Sequence, residues 1–187
     1  EQRGLAFSRY ADDCNIYVKS ERAGQHAMAA MIDYLEKKLK LRVNRDKSAV
    51  ARPWHRKFLG YSVTGHQQAR LKIADSSLKR LMDKVREIVV GNVSRNLDQT
   101  IAALNPVLRG WGNYFRTGKA SGKFNAVDRY TRRRLLTLLR RRGGQRRARP
   151  GGRPFRLDEW PHRRFVNEYG LYQLSGTIRY PGGVACR

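Results

Sequence analysis

Two adjacent carboxylates, Asp12 and Asp13, stand in Ser8-Arg9-Tyr10-Ala11-Asp12-Asp13-Cys14-Asn15, the stretch of this chain best equipped for chemistry. The runs on either side, Leu5 to Ala11 and Cys14 to Val18, read as strands, so the pair is predicted at the tip of a β-hairpin. Like charges side by side repel, and the arrangement is costly unless a cation or a network of donors compensates. A hard divalent ion does so. Mg²⁺ binds through one or two carboxylates plus substrate phosphates, which suits a two-carboxylate tip open to a polyphosphate substrate. Taken alone, Asp-Asp reads more readily as an ordinary turn dipeptide, and it is the rest of the chain that turns the reading toward a metal site.

The elements that must hold this tip follow in order. Phe7, Ile16 and Val18 are expected to pack beneath the hairpin while the acids face out. Ser20-Glu21 then opens a helix in which Met28, Met31, Ile32, Leu35 and Leu39 recur at helical spacing, so the methionines read as core. Lys37, Lys38 and Lys40 fall in its last turns, where cations complement the macrodipole. Leu41 to Ala51 alternates loosely and is closed by Arg52-Pro53. Lys57 to Val63 reads as a further strand, which Gly60 interrupts at a point of bulging or close approach.

Tyr-Ala-Asp-Asp between apolar strands resembles the catalytic hairpin of reverse transcriptases. The motifs downstream sharpen the likeness: Leu41-Arg42-Val43-Asn44-Arg45-Asp46-Lys47-Ser48, then Lys57-Phe58-Leu59-Gly60-Tyr61, then Leu104-Asn105-Pro106-Val107-Leu108-Arg109-Gly110-Trp111-Gly112-Asn113-Tyr114-Phe115. In that order they resemble group II intron reverse transcriptases/maturases, in which the late palm motifs precede a helical thumb called domain X. The resemblance covers nearly the whole chain. It implies two-metal phosphoryl transfer with Mg²⁺, Asp12 being the first choice as catalytic ligand and Asp13 the second. It also implies a primer grip at Phe58, Leu59, Gly60 and Tyr61, whose alternative reading is a core strand with a bulge. Lys47 would lie near the incoming triphosphate, neutralising phosphate or protonating the leaving group. A solvated lysine is the plainer reading of Lys47 in so basic a chain.

Forty Lys and Arg against fifteen Asp and Glu give 187 residues a formal charge of +25. Such a fold repels itself unless a polyanion lies against it, so nucleic acid is the first partner to expect. No run of about 18 apolar residues exists to span a bilayer, and no signal peptide is visible. Cys14 and Cys186 are the only cysteines, at opposite ends of the chain, and the four histidines have no ligand-like spacing. Neither a disulfide framework nor a zinc site is predicted, and a reducing cytoplasm, in a bacterial or organellar host, fits best.

The excess charge lies late. Residues 1–66 carry thirteen basic and seven acidic side chains, 67–187 twenty-seven and eight. Asp75-Ser76-Ser77 caps a helix through Leu78, Leu81, Met82, Val85, Ile88 and Val89, stopped by Gly91. Leu97, Ile101 and Leu104 predict a second helix, and Pro106 starts a third with Leu108, Trp111 and Phe115. Gly110 and Gly112 weaken that helix by about 1 kcal/mol each, a cost that close approach of a helix or of RNA would explain. A fourth helix is expected from about Lys123 to Arg142, ended by Gly143-Gly144, with Phe124, Val127, Leu135 and Leu138 inside and Arg132, Arg133, Arg140 and Arg141 outside.

Between Asp128 and Asp158 stand twelve arginines and no acid, and arginine pairs bidentately with phosphate. Arg109, Arg132, Arg133, Arg140, Arg141, Arg146 and Arg147 are the candidate RNA contacts. Trp160, Phe165, Tyr169, Leu171, Tyr172 and Leu174 resemble the end of domain X and are expected to pack back on the thumb rather than stack on bases.

The expectation is an α+β chain. A partial reverse-transcriptase palm over 1–66 (hairpin, helix, short strands) leads into an all-helical thumb over 67–145, with 146–187 a basic linker and the end of domain X. Its expected partners are group II intron RNA, an RNA template with a DNA primer, and deoxynucleoside triphosphates, with no membrane. Read this way the chain is a fragment without fingers or the first catalytic aspartate, inactive by itself. The alternative is a non-catalytic RNA-binding splicing module. A ribosomal or DNA-compacting basic protein would account for the charge but not for the motif series.

Overall fold

The computed structural model describes residues 4–65, 69–91, 96–147 and 156–178, the side chains of 143–147 excepted. Helices and two small antiparallel sheets are distributed over two compact units, Glu1–Arg56 and Lys57–Arg187.

In the first unit, β1 (Ala6–Tyr10) pairs antiparallel with β2 (Asp13–Tyr17), and the pairing of Tyr10 with Asp13 leaves Ala11-Asp12 as a two-residue turn. Ala11 takes φ +52°, the left-handed conformation that two-residue hairpin turns demand. Helix α1 (Glu21–Asp33) starts where Ser20 Oγ accepts the Ala23 N–H at 3.2 Å, and it widens into a π-helical turn at Tyr34–Lys38. Gly24 is the only buried residue described in α1; a Cβ there would stand 2.6 Å from Val50 and 3.4 Å from Val18.

The expected apolar layer under the hairpin does not close. Phe7 is 48% exposed, Met31 37% and Leu39 48%, and among the described residues no apolar side chain of this unit is fully buried. One hairpin and one helix offer a single thin layer, too little to enclose apolar groups on all sides. Nor does Leu41 to Ala51 form a strand. Asn44 Oδ1 accepts the Lys47 N–H at 3.1 Å and turns the chain there, and Pro53–His55 is a short 3₁₀ turn.

The second unit holds the core. Strand β3 (Tyr61–Val63) pairs antiparallel with β4 (Leu71–Ile73), so the stretch expected to be wholly helical begins with a strand that satisfies the edge of β3. Four helices follow: α2 (Asp75–Gly91), α3 (Leu97–Phe115), α4 (Ser121–Arg147) and α5 (His162–Asn167). Leu81, Val85 and Val89 of α2 meet Ile101, Leu104, Leu108 and Phe115 of α3 and Phe124, Val127, Leu135 and Leu138 of α4 in one cluster. Phe165, Leu171 and Leu174 from the tail complete it, each at most 3% exposed, so the tail packs on the helices as expected.

Two helix boundaries differ from expectation. Residues 97–115 form one helix with Pro106 inside it, rather than two helices meeting there. Proline removes the hydrogen bond to Ala102 and costs about 3 kcal/mol in a helix interior. The cost is tolerated because Ile101 and Leu104 before it and Leu108 and Phe115 after it are buried in the same core. Asn96 and Gln99 fix the start as a reciprocal capping box. Helix α4 likewise continues through Gly143-Gly144 to Arg147, since two glycines weaken a helix without stopping it.

Candidate functional site

The carboxylates lie on the first unit. Asp12 is in the hairpin turn and Asp13 is the first residue of β2; both are exposed, and Arg9 Nε donates to the Ala11 carbonyl at 3.0 Å to brace the turn. Among the described residues neither carboxylate has a hydrogen-bond or ion-pair partner, so both remain able to bind a cation. Two hard oxygen donors on one exposed turn fit a Mg²⁺ ion that completes its shell with water and phosphate. Among the described residues no group of three or more metal-ligating side chains occurs. Lys47 is exposed on the turn after α1, its carbonyl accepting from the Arg56 guanidinium at 2.8 Å.

The stretch proposed as a primer grip belongs to the second unit, and it is a turn rather than a strand. Phe58 and Tyr61 exchange both backbone hydrogen bonds, at 2.8 and 2.9 Å, around Leu59 (φ +50°) and Gly60 (φ +80°). Two successive left-handed residues make the tight mirror-image turn that suits a right-twisted hairpin. Helices anchor it from two sides. The Gly60 carbonyl accepts the Ala74 N–H at 2.9 Å and the Ser77 hydroxyl at 3.1 Å at the start of α2, and the Leu59 carbonyl accepts the Tyr114 hydroxyl at 2.8 Å at the end of α3. A Cβ on Gly60 would stand 3.0 Å from both Phe115 and Ser77. Gly60 is thus needed for its φ and for its neighbours, neither of which is a strand bulge.

Helix α4 carries the arginines. Asp128, Thr131, Leu135 and Leu138 are its inward positions, all at most 8% exposed. Arg133, Arg140 and Arg141 are exposed as expected, Arg133 lying over the Tyr130 ring at 5.8 Å. Arg132 is not outside. It is half-buried, four residues after Asp128 and three before Leu135, at the margin of the buried stripe. One of its guanidinium nitrogens donates to the Trp160 carbonyl at 3.4 Å. Arg109 is exposed on α3, 5.3 Å from the Tyr172 ring. The side chains of Arg146 and Arg147 lie outside the described residues. Lys123, at the start of α4, is paired with Asp75 of α2, and that partner holds the Asp75 carboxyl below its ordinary range.

Two residues that hold the tail carried no signal of that role in the sequence. Asn105, just before Pro106, donates to the Gly170 carbonyl at 2.9 Å and accepts the Tyr172 N–H at 2.8 Å. The buried Asp128 carboxylate accepts the N–H of Leu174 at 3.0 Å and of Ser175 at 2.9 Å. Gly112 lets the tail approach: a Cβ there would stand 2.4 Å from Leu174, whereas Gly110 faces open space. Of the two glycines, only Gly112 answers the expectation of close approach by a neighbouring element. Between α4 and this tail runs a groove of about 480 Å³, lined in part by Asn125, Arg129, Arg132 and Gln173. Its two walls are nearly fifty residues apart in the chain, which is why no motif marked it.

Residues 1–63 match the family model described as Reverse transcriptase (RNA-dependent DNA polymerase), and residues 78–151 match the one described as Group II intron, maturase-specific domain. No curated protein matches the chain. Among the described residues, no helix is long and apolar enough to cross a membrane.

Proposed function

We propose, for a chain that belongs to the group II intron reverse transcriptase/maturase family, that its first unit carries metal-binding carboxylates for RNA-directed DNA polymerisation and that its second grips the primer and holds intron RNA. One observation carries this reading: the two family regions follow one another on a single chain, and the Asp12-Asp13 turn lies within the first of them, open to solvent. Asp12, with Asp13 beside it, would hold Mg²⁺. The ion, when bound, lowers the pKa of a primer 3′-hydroxyl and offsets charge on a triphosphate. Lys47 neutralises phosphate charge, and the Phe58–Tyr61 turn steadies the primer's terminal backbone. Arg109, Arg133, Arg140 and Arg141 bind RNA phosphates, joined by Arg146 and Arg147.

Two-metal transfer draws on more carboxylates than two adjacent ones supply. Asp12 and Asp13 are therefore proposed as one share of the site, and the 187 residues by themselves are expected to extend no primer. In a polymerase-competent protein that contains this chain, Asp12→Ala should lower the chemical step far more than RNA affinity, because the ligand acts on the transition state. Equal losses in both would sink the catalytic assignment.

A second reading, an RNA-binding splicing module without polymerase activity, is favoured by the distribution of the core. The unit that contains the maturase-specific match holds every buried apolar side chain described, and the hairpin unit holds none. Competition of intron RNA against random RNA of equal length tests this reading. Preference for the intron supports it, and equal competition reduces the chain to a generic polyanion binder.

A further inference from the structure

We propose that the groove between α4 and the tail takes one unstacked nucleotide of RNA, its phosphate on Arg129 and Arg132 and the edge of its base on Asn125 and Gln173. The inference rests on the RNA-binding reading above and adds to it a defined ligand site. The groove, of about 480 Å³, is an open cleft with Asn125, Arg129 and Gln173 exposed along it, so a ligand lying in it keeps one side in solvent.

The lining is mixed in the way a nucleotide requires. Arg129 supplies a forked donor for phosphate, and Arg132, one of whose guanidinium nitrogens already donates to the Trp160 carbonyl, adds its positive charge and its remaining N–H groups. Asn125 supplies a donor and an acceptor, the pairing groups that read an exposed base edge, and Gln173 adds its amide oxygen and its second amide hydrogen, its Nε2 already donating to the Ser175 hydroxyl at 2.6 Å. Asp128 also lines the groove, but its carboxylate is engaged by the Leu174 and Ser175 N–H groups and so builds the wall. An acid in the wall also distinguishes this groove from a uniformly basic phosphate cradle. Two further nitrogens of the lining residues, Arg132 Nε and His162 Nε2, are buried without a partner. Buried polar groups normally have one, and a polar ligand reached by a small side-chain shift would supply it.

Position along the helix gives the nucleotide a route. Arg129, Arg133 and Arg140 follow one another at four and seven residues, so they form one stripe along α4, and Arg129 is where the stripe enters the groove. A strand whose phosphates track the exposed Arg133 and Arg140 thus delivers its next nucleotide to Asn125. Gly122 lies one turn further on; a Cβ there meets nothing within 4 Å, so the groove is open at that end.

The open end supplies the test. Gly122→Leu puts a side chain into free space, where it blocks the groove without disturbing the core, and leucine is the better helix former. The four nucleoside 5′-monophosphates and, separately, inorganic phosphate are titrated into the 187-residue chain while the amide signals of Gln173 and Ser175 are followed by NMR. At least one monophosphate should shift them saturably, with inorganic phosphate failing to do so, and Gly122→Leu should weaken that binding about tenfold or more. If Gly122→Leu fails to fold, Asn125→Ala combined with Gln173→Ala carries the same expectation. Silence to all four monophosphates, identical shifts with inorganic phosphate, or undiminished binding by the folded variant overturns the pocket. Structured RNA separates the two levels: no binding by the unaltered chain overturns the RNA-binding reading and the pocket with it, whereas equally tight binding by chain and variant overturns the pocket alone.

Discussion

Tyr61 and Tyr114 hold each other through the main chain: the Tyr61 hydroxyl donates to the Tyr114 carbonyl at 2.7 Å, and the Tyr114 hydroxyl returns to the Leu59 carbonyl at 2.8 Å. Their rings stand 5.8 Å apart, and Phe115 packs 4.9 Å from Tyr61. The Phe58–Tyr61 turn is therefore part of the helical core's rim, fixed to the last turn of α3, and a shift of α3 would carry the turn with it.

Removing either hydroxyl should loosen this attachment. Tyr61→Phe and Tyr114→Phe are each expected to cost about 1 kcal/mol, the net worth of a hydrogen bond. The double variant should depart from the sum by about 0.5 kcal/mol or more, because the bonds share one turn. Urea unfolding of the three variants checks this; strict additivity would mean that the two bonds act independently.

The same pair predicts a pH dependence. Burial pushes the Tyr61 phenol above its ordinary value, a hydrogen bond with the Thr117 side chain opposing it and the nearby Tyr114 adding to it. The protonated form is the one the fold favours, so its contribution is full below the unfolded value, near 10, and is lost as pH rises through the folded value. The stability gap between the parent chain and Tyr61→Phe should be flat at neutral pH and shrink in the alkaline range. A gap that widens there would reverse the sign.

Gly110 and Gly112 stand two residues apart in one helix and should respond oppositely. Gly110→Ala enters open space and should stabilise α3 by about 0.5–1 kcal/mol. Gly112→Ala drives a methyl into the fully buried Leu174 and should cost about 1–3 kcal/mol. Thermal melts of the two variants decide it, and a shift of the same sign in both would refute the packing of the tail on α3.

Asp128→Ala would leave two backbone N–H groups at the tail without an acceptor, for a loss of about 2–4 kcal/mol. Asp128→Asn keeps an acceptor oxygen and should lose less. Limited proteolysis should then cut the Asp128→Ala tail near Leu174 first; unchanged resistance would show that the apolar contacts alone hold it.

The exposed arginines should separate from the half-buried one. Changing Arg133, Arg140 and Arg141 to Gln should flatten the salt dependence of RNA binding by about 0.7 to 0.9 log units per lost contact. Their folding should change by no more than about 0.5 kcal/mol. Arg132→Gln should in addition lower the melting temperature, since its guanidinium is tied to the Trp160 carbonyl as well as lining the groove. An unchanged salt slope in the triple variant would place the RNA elsewhere.

What the sequence alone determined is local. Tyr10 to Cys14 specified its own hairpin turn, Ser20 marked a helix start at short range, and the apolar spacing of Leu81, Val85, Leu135 and Leu138 told inside from outside. These signals are a few residues long and need no distant partner. What the tertiary structure decided depended on groups far apart in the chain. Pro106 stayed inside a helix because both flanks are buried in one core, and Leu59-Gly60 became a turn because α2 and α3 offered donors to its carbonyls. Arg132 moved to the margin of the buried stripe, and Asn105 and Asp128 became anchors for a tail more than forty residues away. No local pattern encodes such pairings, because a side chain's periodicity gives its face on its own element and leaves open which other element will cover that face.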